Sequence, residues 1–121
     1  MTARRQQQGS LLDRETALEQ IRKGSAVVID VRPREEFEHA HLPRAKSIPL
    51  EEIEQRADEI PRGPLVIVYC RGPYCELADE AVEILKKRGV KAYRLEEGPL
   101  DWSHSGFPVE NQQQAMEVEE S

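Results

Sequence analysis

The chain has 121 residues, 38% hydrophobic and 33% charged, with 17 Lys+Arg against 23 Asp+Glu and a formal net charge of −6. That is one domain's worth of sequence, and its acidity argues against a broad phosphate-backbone-binding face, which needs clustered basic residues. The longest apolar runs, Ala26–Ile29 and Leu65–Cys70, are too short for a bilayer span, no apolar signal core follows Met1, and two cysteines are too few for a secreted disulfide scaffold.

A cytoplasmic domain with no nucleic-acid and no membrane partner is therefore expected. Residues 1–10 carry Arg4, Arg5 and three glutamines without an apolar period. They read as a flexible N-terminal segment. Asp13 can cap a helix that runs to Lys23 and ends at Gly24, with Glu15 in its first turn. Ala26–Asp30 reads AVVID, an unalternating β-branched run that predicts a strand covered on both faces. Pro33 stops it, and Arg34–His39 reads as a short acidic helix. His41–Pro49 is an extended passage between Pro43 and Pro49. Leu50–Ile60 places Leu50, Ile53, Ala57 and Ile60 at helical spacing. Leu65–Tyr69 reads LVIVY, a second buried strand. Glu76–Arg88 is an amphipathic helix with Lys86, Lys87 and Arg88 at its C-terminal end. Val90–Leu95 is a third strand, and Gly98–Phe107 is a loop or short helix carrying Trp102. Residues 111–121, with Glu117, Glu119 and Glu120, read as a flexible acidic tail, which leaves 11–110 as the domain.

Strand and helix alternate, so the expected fold is a single α/β domain: a small parallel sheet with helices on both faces and right-handed crossovers. Sites in such sheets lie beyond the carboxyl ends of strands. The residue that follows Leu65–Tyr69 is Cys70.

Cys70-Arg71-Gly72-Pro73-Tyr74-Cys75-Glu76 links that strand to the next helix. The loop amides can curl around the Cys70 sulfur as an anion nest, and the helix adds its positive end. Arg71 is expected to add a full charge beside the thiol. All three favour thiolate, the nucleophilic form. Gly72 and Pro73 suit a sharp bend. Tyr74 lines the mouth or is simply exposed. His39, His41 and His104 lack compact ligand spacing with the cysteines, so no metal is expected. Four residues separate the two cysteines, so there is no C-x-x-C redox pair. A C-x5-R phosphatase needs arginine at position 76; Glu76 would repel a phosphate dianion.

From about Asp13 to Glu110 the chain resembles the rhodanese, or sulfurtransferase, domain. The matching pieces are VVIDVR at Val27–Arg32, EEFEHAHLPRAKSIPL at Glu35–Leu50, VIVYCRGPYC at Val66–Cys75, Gly89–Leu95, and EGPLDW…GFPV at Glu97–Val109. The resemblance implies that Cys70 accepts a sulfur from thiosulfate or a persulfide and passes it from a persulfide to a thiol or cyanide, without a cofactor. Arg71, Gly72, Pro73, Tyr74, Cys75 and Glu76 would cradle the small sulfur-containing anion or thiol, and a protein sulfur acceptor is a possible further partner. Asp30 and Arg32 match the family's strand-end Asp-x-Arg and would support the site, as a structural ion pair rather than as catalysts. The loop is similar to that of rhodanese domains fused behind ArsR-type repressors. No DNA-binding helix pair is expected ahead of the domain from this sequence, so the likeness is read as implying the sulfur module and not a repressor. The chain departs from the family at Ala40 and Arg44, where glycines are usual, and at Cys75, where arginine often ends the loop. Cys75 is either a resolving partner of Cys70 or a semi-buried residue of the helix start. The alternative to an enzyme is a non-enzymatic sulfide- or redox-sensing or sulfur-carrier module that uses Cys70 and Cys75.

Overall fold

The structure, a computed structural model, describes residues 11–72 and 75–111. The expectations for both chain ends, Pro73 and Tyr74 fall outside the described residues. In chain order the elements are β1 (Leu11–Leu12), α1 (Arg14–Lys23), β2 (Ala26–Asp30), α2 (Arg34–His39), β3 (Ala45–Ser47), α3 (Leu50–Ile53), a 3-10 turn at Ala57–Glu59, β4 (Leu65–Tyr69), α4 (Leu77–Lys87), β5 (Ala92–Leu95) and α5 (Pro99–His104). The strands form one sheet in the order β1-β5-β4-β2-β3, every neighbouring pair parallel. This is the expected α/β sheet, with β4 at its centre.

Strand side chains alternate between faces, and the two apolar clusters follow that parity. Val66, Val68 and Cys70 join Ile29, Val31, Ile53, Ala81 and Leu85 on the face covered by α3 and α4. Ile67 and Tyr69 join Val28, Ala17, Ile21, Leu95 and Trp102 on the face covered by α1 and α5. Both faces of β4 are therefore dry, which is why its sequence is apolar without alternation. Trp102 packs edge-on against Phe107, with centroids 5.3 Å apart, and seats the last helix on the sheet.

Three details differ from the sequence reading. β1 and β3 are strands of two and three residues at the sheet edges. Such short edge strands carry no usable periodicity of their own, and only pairing with β5 and β2 defines them. The helix expected over Leu50–Ile60 ends at Ile53, and the chain tightens into the 3-10 turn. That break keeps Ile53, Ala57 and Ile60 all buried while turning the chain toward Pro61. Among the described residues, no helix is long and apolar enough to cross a membrane.

Candidate active site

β4 delivers Cys70 to the carboxyl end of the sheet, and α4 begins seven residues later at Leu77. The thiol is 1% exposed, whereas Cys75 is half-buried. Cys70 Sγ donates to the Cys75 carbonyl oxygen at 3.3 Å, and the two cysteine side chains also hydrogen bond to each other. The Cys75 amide donates to the Gly72 carbonyl at 3.2 Å, closing a turn inside the loop. The first amides of α4 serve both sulfurs: that of Ala78 points at Cys70 and that of Leu77, with the Arg71 amide, at Cys75. These are the otherwise unsatisfied donors of a helix N-terminus, turned to hold sulfur anions.

The ionisation order differs from the sequence reading. Burial pushes the Cys70 thiol up to about 11, helped by its hydrogen bond with Cys75, and the Ala78 amide and Arg94 only partly offset this. Burial opposes ionisation of Cys75 too, but there it is outweighed by the Cys70 hydrogen bond, the two amides and the Arg71 guanidinium, so Cys75 lies below an ordinary thiol. The amide nest and the cation are present, but the first proton leaves from Cys75. Cys70 is the protonated, shielded member of the pair.

Arg71 does not sit against the Cys70 sulfur. Its side chain is more than half exposed, and its guanidinium grips Glu36 of α2 through two bonds of 2.8 and 2.6 Å. That pairing holds the Glu36 carboxyl below its usual range. The cation beneath the loop is Arg94 of β5. Register pairs it with Val68, two residues before Cys70 on the same face. Buried at 5% exposure, it donates to Gly72 O at 2.9 Å and to Asp79 of α4 at 2.5 Å. Arg94 thus ties the loop to the sheet and to the helix.

A second support was not singled out from sequence. Gly98, just before α5, lies so close to the loop that a Cβ there would stand 2.2 Å from Arg71 O and 2.6 Å from Cys70 O. Its amide donates to Asp101 Oδ2 at 3.0 Å, which fixes this approach. Asp101 in turn lies 3.2 Å from where a Cβ on Gly72 would be. A visible signal for Arg94 is a charged residue on the same parity as Ala92 in an otherwise apolar strand. Gly98 has none in a single sequence beyond preceding Pro99.

Asp30 and Arg32 form the buried ion pair expected of them. Arg32 Nη2 lies 2.6 Å from Asp30 Oδ2, its Nε 3.0 Å from Oδ1, and its Nη2 also reaches Ala40 O at 2.5 Å. Tyr69 completes the knot, donating to Asp30 Oδ2 at 2.8 Å and accepting from the Leu42 amide at 3.0 Å. Asp30 pairs in register with Tyr69, so the knot lies on the sheet face opposite to Cys70. Among the described side chains, Glu36 links it to the thiol loop, lying 4.0 Å from Arg32 and bonded to Arg71. His41 bonds the Phe37 carbonyl at 2.7 Å and bridges to Glu110, and His39 and His104 are exposed. Glu76 is exposed at the N-cap of α4 and supplies no side-chain cap.

Among known proteins, the family model described as rhodanese-like domain matches residues 13–105. An HTH-type transcriptional regulator of Mycobacterium tuberculosis is 38% identical over 105 residues, covering 84% of this chain and 46% of the relative. The chain thus spans about half the length of that relative. A sulfurtransferase of Allochromatium vinosum is 27% identical over 84 residues, covering 69% of this chain and 77% of the relative. A crystal structure of a Bacillus halodurans protein superposes with a TM-score of 0.80 at 28% identity, covering 92% of this chain and 84% of that one.

Proposed function

This chain belongs to the rhodanese-like domain family, and on that premise we propose that it is a sulfurtransferase that carries a sulfane sulfur as a persulfide on Cys70. The observation that carries the reading is the placement of Cys70. It follows the central strand of a parallel sheet, faces a loop and a helix N-terminus whose amides point at sulfur, and has a second thiol as its hydrogen-bond partner. Relatedness to a protein named as a sulfurtransferase supports it.

The reaction we assign is ping-pong. Cys70 Sγ attacks the outer sulfur of thiosulfate, the sulfur–sulfur bond of the donor breaks, and sulfite leaves with the bonding pair. The Cys70 proton passes to the adjacent Cys75 sulfur, the more readily ionised of the pair. The persulfide terminus then sits among the loop amides until a thiol or cyanide removes it. A low-molecular-weight persulfide can serve as donor by the same displacement, with its thiolate as leaving group. No step needs a metal or an organic cofactor.

The assay is thiocyanate formation from thiosulfate and cyanide. Turnover by the wild-type protein that disappears in Cys70→Ser is expected. Absence of turnover with both thiosulfate and a small persulfide overturns the enzymatic reading. The contact between Cys70 and Cys75 then favours the second reading, a sulfide- or redox-responsive or sulfur-carrier module using the same two thiols. The relative named as a transcriptional regulator supports that second reading.

A further inference from the structure

We propose that Cys75 resolves the Cys70 persulfide: its sulfur attacks Cys70 Sγ, closes a Cys70–Cys75 disulfide and expels the carried sulfur as hydrosulfide when no acceptor arrives. This rests on the Cys70 persulfide reading and adds a self-limiting branch to the same site.

Contact comes first. The two thiols already hydrogen bond, and the Cys75 carbonyl lies 3.3 Å from Cys70 Sγ, so the sulfurs start in contact. Closing from contact to a bond of about 2 Å is a small excursion for a loop linking a strand end to a helix start. The Cys75 amide and Arg94 both donate to Gly72 O, which ties Cys75 to the residue two positions after Cys70.

Access comes second. Cys70 is 1% exposed and Cys75 is half-buried, so Cys75 is the thiol beside the persulfide at all times, and an external acceptor must compete with it. Its readier ionisation supplies the attacking thiolate.

The choice of sulfur follows from the leaving groups. Attack on the outer sulfur would expel the Cys70 thiolate, which the site holds poorly because burial keeps its thiol up to about 11. Attack on Cys70 Sγ expels hydrosulfide, the weaker base, and the lower-pKa group leaves faster. The step balances without an external oxidant. The bond from Cys70 Sγ to the terminal sulfur breaks, the terminal sulfur keeps the electron pair and leaves as hydrosulfide, and the two cysteine sulfurs are oxidised jointly to the disulfide. The proton of Cys75 goes to solvent. A thiol reductant restores the starting dithiol.

The test uses the full chain, loaded with thiosulfate, whose leaving group on loading is sulfite and not sulfide, without reductant, then read by intact mass, peptide mapping and sulfide release. Expected for the wild type is a loss of about 2 Da, reversed by dithiothreitol, with about one equivalent of sulfide freed per chain. Expected for Cys75→Ser, and for Cys75→Ala as a second variant, is slower loading that ends at a gain of about 32 Da on Cys70 with no sulfide released. A wild-type protein that keeps the 32-Da gain on Cys70 while Cys75 remains alkylatable overturns the resolving role and leaves the sulfurtransferase reading standing. A gain mapped to Cys75 in the wild type overturns it too, in favour of transfer to the outer thiol. Failure of the wild type and both variants to take up any sulfur overturns the persulfide reading itself. The wild-type arm stands alone if a variant does not fold.

Discussion

Gly98→Ala tests whether the thiol loop is positioned by the close approach of the turn before α5. The backbone of Gly98 has φ −113° and ψ −174°, which alanine adopts freely, so conformational strain is not at issue. The added methyl is. Its carbon would stand 2.2 Å from Arg71 O, 2.5 Å from Arg71 C and 2.6 Å from Cys70 O, where an ordinary contact begins at 3.4 Å. Relieving the worst overlap separates two stretches of backbone by 3.4 − 2.2 = 1.2 Å. The atoms struck are main chain, so no side chain can rotate away. Overpacking of this kind costs about 1–3 kcal/mol, which lowers the thermal midpoint by roughly 4–8 °C per kcal/mol for a domain of this size. The same shift carries the Cys70 carbonyl and its sulfur away from the amides of α4. A displacement of about 1 Å in a catalytic group can cost roughly 100-fold in rate, so thiocyanate turnover should fall by about that factor. Gly63→Ala is the control: a Cβ there meets nothing within 4 Å, and both midpoint and turnover should stay at the wild-type level. If Gly98→Ala matches Gly63→Ala in calorimetry and turnover, the loop is not positioned by this contact and the reasoning is wrong.

Alkylation with iodoacetamide followed by peptide mapping should show Cys75 reacting first near neutral pH. Because only the thiolate reacts and Cys70 is held up to about 11, labelling of Cys70 should increase as pH rises toward 11 and vanish as it falls; faster Cys70 labelling at pH 7 contradicts the ionisation order. Arg44 has φ +63°, the single non-glycine residue in the left-handed region among those described. Arg44→Gly should raise stability in urea unfolding by up to about 1 kcal/mol, the relief of about 1–2 kcal/mol less the entropic cost of glycine, and a loss of stability would refute this. Ala40 at φ −165° is plain extended backbone, and Ala40→Gly should gain nothing. Glu36→Gln should free Arg71 for an anionic donor and lower KM for thiosulfate, while stability changes by less than about 1 kcal/mol because the pair is exposed; an unchanged KM removes Arg71 from donor binding. Asp30→Asn leaves Arg32 buried without its carboxylate and should cost about 3–5 kcal/mol in urea unfolding, whereas Tyr69→Phe should cost about 1–3 kcal/mol through the Leu42 amide; near-neutral values for both would show that the knot is not structural.

What could be read from the chain follows from how local its cause is. AVVID and LVIVY announce strands because each residue position reports its own burial, and in a parallel sheet both faces are dry. Gly24 closes α1 at φ +72° because the cap is written in adjacent residues. The position of Cys70 was legible for the same reason: it follows a recognisable strand and precedes a recognisable helix. β1 and β3 were not legible, since two or three residues between prolines or beside a chain end have no period to display. Nor was the far half of the Leu50–Ile60 segment, where helical spacing persists but the chain turns to bury Ile60.

The electrostatics of the site was the least local property, and there proximity in sequence misled. Arg71 is covalently next to Cys70, yet its side chain extends along the surface to Glu36. Arg94 is 24 residues further on, and only the parallel register that pairs it with Val68 places its guanidinium under the loop. A backbone neighbour's charge is free to point into water, where its energy is screened; a charge on the inner face of a buried strand has no such choice and must find partners, here Asp79 and the Gly72 carbonyl. The same parity separates two buried polar assemblies that the sequence ran together. Cys70, Arg94 and Cys75 belong to the α4 face, while Asp30, Arg32 and Tyr69 lock the opposite face. A substitution in the second assembly should therefore unfold the domain before it alters sulfur chemistry. A substitution of Cys75 should alter sulfur chemistry while the domain stays folded.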